Sequence, residues 1–300
     1  MTTGGSPDRT QLPVVCSRVL PSLFIRAWHR AQERLRNPAQ RKALARVLAG
    51  FRPRAAAATS LVSEREHEAM ARDGVTFFPQ FISTEAAAGL RELLAQFECQ
   101  DPWRSQLGLF RLEAAPPDTH VADIPAAPTL LALHQLALDP RLIEVAEKYF
   151  GCKPYLDSVQ AWWSLSGNEL PQEAENFHRD NDSIRFVKFF LYLTDVDDDS
   201  GPHKFVIGSH RDARLLERRR YQDEEVVAEF GAARVLEVQG KAGDAFIEDT
   251  FGLHKGQLPR TGIRLLAQFR YSVMPTVFRS PIIVAGPAPR AGATSLLHSG

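Results

Sequence analysis

A histidine and an aspartate two positions apart, His178 and Asp180, are the residues of this sequence best placed to do chemistry together. Side chains at positions i and i+2 of a strand point to the same face. A neutral imidazole and an ionised carboxylate on one face can bind a single divalent metal ion. Because such a pair also arises by chance, it indicates a metal site only where a third ligand accompanies it.

Three later histidines are candidates for that third ligand, which would complete a facial triad of two histidines and one carboxylate. His203 and His210 come only one predicted strand after the pair, so too few strands separate them for the chain to return to the site. His254 lies 74 residues after Asp180, beyond several predicted strands and a turn-like segment at 249–252. His254 is therefore the predicted third ligand, and the other two histidines are interpreted as structural.

An arginine follows the third histidine at a position where it can enter the interior of a β fold. Arg264 comes ten residues after His254, early on an apolar predicted strand. A buried guanidinium requires a carboxylate partner, and its planar fork suits a small dicarboxylate. Two other arginines are rivals for this role: Arg260 lies in the preceding turn, and Arg270 has the same strand parity further along.

Short strands separated by turn residues dominate the chain after residue 150, whereas helical patterns dominate before it. The strands are predicted at 155–165, 185–194, 203–208, 233–239, 243–248 and 263–273. Helical patterns cover 63–73, a stretch that begins at Ser83, and 128–150. This order predicts a mainly β fold with flanking helices, in which the strands form a sandwich or a barrel. Residues 100–127 are predicted to form a long loop, and the charged segment 210–230 a helix.

The first sixty residues differ in charge from the rest, with eleven Arg and Lys against two acids. They are predicted to form a basic helical extension over 1–60, with helices at 21–35 and 38–47. Residues 61–275 are predicted to form the catalytic domain, and 276–300 a C-terminal tail. One helical face carries four arginines: Arg30, Arg34, Arg41 and Arg46. We interpret this face as solvated; the alternative is docking to an acidic partner or a lipid surface.

The overall composition excludes several classes of protein. Thirty-six basic residues balance thirty-six acidic ones, so no net charge favours nucleic acid or an anionic membrane. No apolar stretch approaches the ~18 residues that a membrane span needs. The three cysteines are far apart and form no CxxC motif, which predicts a reducing, cytoplasmic compartment without disulfides or a cysteine zinc site. A small-molecule substrate is expected, and the oligomeric state stays open.

The segment 177–211 resembles the phytanoyl-CoA dioxygenase family of Fe(II)/2-oxoglutarate oxygenases. The resemblance rests on four motifs in the family's order: the pair His178/Asp180, LTDV at 193–196, Gly201 with Pro202, and GSH at 208–210. It continues in Gly243 and Asp244 before His254, and in Arg264. Reaching back to the segment 73–78, it covers residues from about 64 to 273 and leaves out the N-terminal extension.

The resemblance implies a double-stranded β-helix, the jelly-roll or cupin-like core. It also implies that Fe(II) binds His178, Asp180 and His254. 2-Oxoglutarate would then chelate the iron and reach Arg264 with its far carboxylate, and O₂ would take the remaining position. The family's reaction converts 2-oxoglutarate to succinate and CO₂ and oxidises a C–H bond of a small organic substrate, usually by hydroxylation.

Two alternatives are weighed against this function. An iron oxygenase that does not use 2-oxoglutarate is disfavoured by Arg264, and a non-catalytic jelly-roll binding protein is disfavoured by the intact triad.

The roles of two neighbouring positions stay open. Lys188 meets the cosubstrate or an anionic substrate if its strand face lines the cavity, and otherwise it is an exposed lysine. Trp162 and Trp163 are adjacent on a strand, so one must face inward and the other outward.

Overall fold

Most helices lie before residue 151 and the longer strands after it, as the sequence predicts. The computed structural model describes residues 22–54 and 60–276. Its helices are α1 (Ser22–Gln32), α2 (Pro38–Gly50), α3 (Glu64–Arg72), α4 (Thr84–Leu94), α5 (Leu131–Ala137), α6 (Pro140–Phe150) and α7 (Asp223–Phe230). The predicted tail at 276–300 lies outside the described residues except for Thr276. None of the helices in these two ranges is long and apolar enough to cross a membrane.

Side-chain caps and prolines fix where several of these helices begin. Asn37 caps α2, because its Oδ1 accepts hydrogen bonds from two backbone N–H groups of the first turn. Pro38 is the first residue of that helix. Ser63 and Glu66 form a reciprocal capping box at the start of α3. Asp139 caps α6 ahead of Pro140. These local signals explain why helix starts were predictable from the sequence.

In the described part of the chain, eleven strands form two antiparallel sheets. The strands are β1 (Val75–Phe78), β2 (Cys99–Gln100), β3 (Leu109–Phe110), β4 (Val121–Asp123), β5 (Tyr155–Leu165), β6 (Phe186–Tyr192), β7 (His203–Val206), β8 (Val235–Val238), β9 (Ala245–Glu248), β10 (His254–Gly256) and β11 (Ile263–Ser272). The larger sheet has the order β1-β9-β6-β11-β5-β4-β2-β3, and the smaller one β10-β7-β8. The long strand β11 pairs with both β5 and β6 and so lies at the centre of the larger sheet.

Alternation along the strands of the larger sheet produces two apolar layers. On β11, Leu265, Ala267 and Phe269 pack against the helices in the main core. Leu266, on the opposite face, joins a second cluster that draws side chains from both sheets. The two tryptophans divide in the same way: Trp163 is buried in the helix-side core, and Trp162 is half-buried on the face toward the smaller sheet. This second layer is the interior of the jelly roll, where the site lies.

Two predictions about irregular segments are wrong in part. Residues 100–127 are not a single loop, because β3 and β4 fall inside the segment and β4 pairs with β5 at Trp162–Ser164. Strands of two or three residues are too short to show an alternating pattern in sequence. The segment 210–230 is helical only over Asp223–Phe230. Before that helix, side-chain ion pairs such as Arg214–Asp212 stabilise an irregular chain.

The N-terminal helices pack on the rest of the chain, and the prediction of a solvated arginine face is wrong for one residue. Arg30, Arg34 and Arg46 are exposed, but Arg41 is only 3% exposed. Its Nη1 donates to Asn181 Oδ1 at 2.7 Å, and its Nη2 donates to the carbonyl oxygen of Ser183. The periodicity of α2 could not reveal these partners, because they lie 140 residues further along the chain.

Candidate active site

A backbone bridge between the segment before β6 and the start of β10 brings two histidines side by side. The N–H of His178 donates to the carbonyl oxygen of His254 at 3.0 Å, and the N–H of His254 donates to that of His178 at 3.0 Å. Their ring centroids are 4.3 Å apart. Asp180 is fixed next to them because its N–H donates to the carbonyl oxygen of Thr250 at 2.9 Å. His178 and Asp180 therefore face the same side because of this isolated bridge, and not because they lie on a continuous strand.

The three side chains converge with ligand atoms within 4.8 Å of one another. His178 Nε2 lies 3.5 Å from Asp180 Oδ1, and His254 Nε2 lies 3.3 Å from Asp180 Oδ2. The other ring nitrogens face backbone carbonyl oxygens, of Asn176 at 2.9 Å and Gly252 at 3.0 Å. A carbonyl can only accept, so each Nδ1 carries a hydrogen, and in the neutral ring Nε2 then has the lone pair that a metal ion needs.

The fourth predicted site residue lies on β11. Arg264 is 3% exposed, and its Nη2 donates to Ser164 Oγ on β5 at 3.0 Å. Its Nε and Nη1 are buried and have no hydrogen-bond partner among the described residues. Gly256 faces this guanidinium closely, since a Cβ at that position would lie 3.1 Å from Nη2. Unpaired buried donors are costly, and a carboxylate ligand at the end of the guanidinium would accept hydrogen bonds from Nη1 and from the second N–H of Nη2.

The sequence model of the phytanoyl-CoA dioxygenase family matches residues 70–261, nearly two thirds of the chain. The chain belongs to the phytanoyl-CoA dioxygenase family. No curated protein sequence matches it. The family match leaves out α1, α2 and most of α3. The resemblance in sequence also leaves out α1 and α2.

Solved structures of non-haem oxygenases share the fold of this family member. HygX from Streptomyces hygroscopicus, solved with nickel, 2-oxoglutarate and hygromycin B, is 18% identical with a TM-score of 0.54 over 73% of this chain and 90% of its own. EctD from S. alaskensis with bound Fe is 19% identical, with a TM-score of 0.53 over 79% and 91%. The carbocyclase SnoK from nogalamycin biosynthesis is 18% identical, with a TM-score of 0.52 over 81% and 94%. The predicted jelly-roll fold is confirmed, and the family membership and the triad identify an Fe(II)/2-oxoglutarate-dependent oxygenase.

The electrostatics of the triad in this family member suit a divalent cation. Burial alone would raise the pKa of Asp180, but Lys188 and His254 outweigh it and hold that pKa well below its usual value. Burial and the neighbouring His254 lower the pKa of His178 to about 4. Burial also acts to lower the pKa of His254, but Asp180 outweighs it and raises that pKa. Asp180 is therefore ionised, and a metal ion competes with a proton for the Nε2 atom of His254.

Lys188 faces the interior and is not an exposed lysine. Its Nζ lies 2.6 Å from Asp180 Oδ2 and 3.0 Å from Asp182 Oδ2. Arg270 reaches the same network, because its Nη1 lies 2.8 Å from Asp182 Oδ2. Two buried cations thus hold the loop that carries the Asp180 carboxylate. The remaining rival, Arg260, is exposed and pairs with Asp199.

The other two candidate histidines lie outside the triad. His203 Nε2 is 2.9 Å from Glu248 Oε1, and its ring stacks on His254 with centroids 5.7 Å apart. Burial raises the pKa of Glu248 to about 8 and lowers the pKa of His203, so burial favours the uncharged form of each. His210 packs against Gly74, where a Cβ would lie 2.3 Å from its Nδ1. Sequence reasoning missed Glu248, and only its place at the end of a strand before His254 could have drawn attention to it.

Proposed function

We propose that His178, Asp180 and His254 bind the Fe(II) of this oxygenase. The observation that carries the proposal is the convergence of two Nε2 lone pairs and one ionised carboxylate within 4.8 Å. Iron bound there supplies the O₂ chemistry that couples decarboxylation of 2-oxoglutarate to oxidation of a substrate C–H bond. The protein orients the ligands through the two Nδ1 hydrogen bonds and through Lys188, which fixes the carboxylate of Asp180.

We further propose that Arg264 binds the far carboxylate of 2-oxoglutarate. A carboxylate needs a fixed cation in a buried site, since desolvation otherwise outweighs its binding. Arg264 presents two unpaired nitrogens and pre-orders its third through Ser164. The competing cations of the interior are already neutralised: Lys188 by Asp180 and Asp182, and Arg270 by Asp157 and Asp182.

The primary substrate is proposed to be a small organic molecule that is hydroxylated in the cytoplasm. Similar folds were solved with hygromycin B or with 5-hydroxyectoine, both small organic compounds. The inner face of the larger sheet offers Trp162 and a hydrogen-bonded pair, Gln160 and Gln268, whose side chains are 2.8 Å apart. Cys99 and Cys152 are buried free thiols, in keeping with a reducing compartment.

Anaerobic titration of the full chain with Fe(II) tests the triad. His178→Ala, Asp180→Ala and His254→Ala should each weaken iron binding strongly and abolish 2-oxoglutarate turnover. The matched control is His210→Ala, which removes a buried histidine outside the triad and should leave iron affinity near normal. If the protein binds iron normally without His254 but not without His210, the assignment of the third ligand is wrong.

Succinate release then separates the competing functions. We expect succinate to form in proportion to 2-oxoglutarate consumed when the substrate is present. Substrate oxidation without any dependence on 2-oxoglutarate would support an iron oxygenase of another class. Stoichiometric iron binding with no turnover of 2-oxoglutarate would support a binding protein that uses the same fold without catalysis.

A further inference from the structure

A cavity of about 480 Å³ lies between α2 and the catalytic part of the chain. Its walls come from α2, α3, the end of α6, the chain entering β6 and the segment after β7. None of the three triad residues lines it, and Arg264 does not line it either. It is therefore a different cavity from the jelly-roll interior. Its dimensions fall in the range of ~300–1,000 Å³ that small-molecule sites occupy.

The wall of this cavity carries more cations than acids. Six lysines and arginines line it: Arg41, Lys42, Arg46, Lys148, Arg185 and Arg211. Three acids face them. Glu64 pairs with Lys148, and the carboxylate of Asp249 accepts hydrogen bonds from Tyr149 Oη at 2.6 Å and from a backbone N–H. The third acid, Glu68, forms no ion pair with any described residue.

Five of the cations have no carboxylate within 4.0 Å in the described part of the chain. Arg41 donates to carbonyl and amide oxygens instead. The other four are Lys42, Arg46, Arg185 and Arg211. Burial lowers the pKa of Lys42, and Arg185, Arg46 and Arg211 lower it further by repulsion. Arg185 stacks on the Tyr149 ring, with its guanidinium carbon 4.0 Å from the centroid, and its Nε is buried without a hydrogen-bond partner. The cluster is thus self-repelling, and one of its donors is unsatisfied.

We propose that this cavity binds the phosphate group of a small molecule, a phosphomonoester or a diphosphate. Such a group carries about two or more negative charges and several acceptor oxygens, which suits a cluster of one lysine and three arginine forks. A single carboxylate would neutralise only part of the cluster. The cavity is larger than a phosphate alone requires, so the organic part of the ligand has room beside Met70 and Ile184. The proposal does not depend on the assignment of the iron ligands.

Calorimetric titration of the full chain with inorganic pyrophosphate tests this site, without added divalent metal so that pyrophosphate cannot bind through iron. We expect one site per chain. Lys42→Ala and Arg185→Met should each weaken binding at least tenfold, because charge-assisted hydrogen bonds are lost. Lys42 is exposed, so its variant should fold normally. Arg65→Ala is the matched control, since it removes an exposed cation of α3 that lies outside the cavity.

A second control distinguishes this cavity from the proposed cosubstrate site. Arg264→Ala should leave pyrophosphate binding unchanged. Absence of saturable binding to the native chain, loss of binding only in Arg264→Ala, or equal weakening in Arg65→Ala would each overturn the proposal. Co-sedimentation with phosphatidylcholine vesicles containing phosphatidylglycerol tests a lipid source of the phosphate. Vesicle binding that Lys42→Ala abolishes, without binding of pyrophosphate, would assign the cluster to a membrane surface instead.

Discussion

The two ends of β11 carry buried arginines in different states. Arg264 and Arg270 lie six residues apart on the same face of the strand and are 3% and 4% exposed. The guanidinium of Arg270 donates to Asp157 at 2.6 Å, to Asp182 at 2.8 Å and to Thr276 Oγ1 at 3.0 Å. Among the described residues, the guanidinium of Arg264 donates to Ser164 alone, and two of its nitrogens have no partner there.

The pKa values of the two guanidinium groups shift in opposite directions. Burial lowers the pKa of Arg264, and the opposing effects of Tyr192 and Glu175 do not compensate. Burial acts on Arg270 in the same sense, but Asp157 and Asp182 outweigh it and raise that pKa. Both side chains are equally hidden from water, so burial does not distinguish them. What distinguishes them is hydrogen bonding. Arg270, whose donors are paired with carboxylates, has a structural role, whereas Arg264, which has unpaired donors, is arranged to bind a ligand.

The largest difference between the two arginines should appear in Arg264→Ala. Removing one partner of a buried ion pair costs about 3–5 kcal/mol, so the KM for 2-oxoglutarate should rise by roughly two to four orders of magnitude. The free energy of unfolding without 2-oxoglutarate should not fall, because the variant removes an unpaired buried cation. Succinate release against 2-oxoglutarate concentration and urea unfolding measure the two quantities. An unchanged dependence on 2-oxoglutarate would exclude Arg264 from this role.

Arg270→Met should show the reverse pattern. Asp157 loses its cation, whereas Asp182 keeps Lys188. Because only one carboxylate is left unpaired, the free energy of unfolding should fall by about 3 kcal/mol, the lower value for breaking a buried ion pair. Urea unfolding measures the loss. Adding Asp157→Asn to the variant should recover part of it, since the orphaned charge is then gone. A KM for 2-oxoglutarate that rises as much as in Arg264→Ala would show that Arg270 contacts the cosubstrate.

The sequence was sufficient for features that depend on spacing and long periodicity. The order of strands predicted that His178, Asp180 and His254 converge, as they do. The strands predicted at 155–165 and 263–273 match β5 and β11 to within a residue. The choice between Arg264 and Arg270 needed the structure, because both share one strand parity. Their difference lies in Asp157 and Asp182, whose position beside Arg270 depends on how three separate segments pack.

Other features were hidden for related reasons. Arg41 is buried against the carbonyl oxygen of Ser183 and the side chain of Asn181. The periodicity of α2 contains no information about these distant partners. Which of the two adjacent tryptophans faces inward depends on the register of β5 with β11. The very short β10 gave no periodic signal, although it carries His254. Long-range contacts and short strands are therefore what the sequence did not reveal.

Replacing Arg264 by lysine tests whether the fork itself matters. Lysine keeps the charge but loses the planar pair of donors. Losing one charge-assisted hydrogen bond of a bidentate pair costs about 1.5–3 kcal/mol, and the retained charge favours the lower value. The KM for 2-oxoglutarate in Arg264→Lys should accordingly rise about tenfold. Iron affinity, measured by the same anaerobic titration, should stay near that of the native protein. A KM as high as in Arg264→Ala would mean that lysine cannot reach the carboxylate at all.

The smallest expected effects come from the hydroxyl that supports each arginine. Ser164 Oγ accepts from Arg264 Nη2, and Thr276 Oγ1 accepts from Arg270 Nη2, each at 3.0 Å. Loss of one such hydrogen bond costs about 1 kcal/mol. Ser164→Ala should therefore raise the KM for 2-oxoglutarate about fivefold, because Arg264 is held less firmly for its ligand.

Thr276→Val removes the matched hydroxyl at the other end of the strand. It should lower the free energy of unfolding by about 1 kcal/mol and leave the KM for 2-oxoglutarate unchanged, because Arg270 keeps both of its carboxylate partners. Steady-state kinetics and urea unfolding on both variants measure all four quantities. If Thr276→Val raised the KM and Ser164→Ala changed only stability, the division of β11 into a ligand-binding end and a structural end would be reversed.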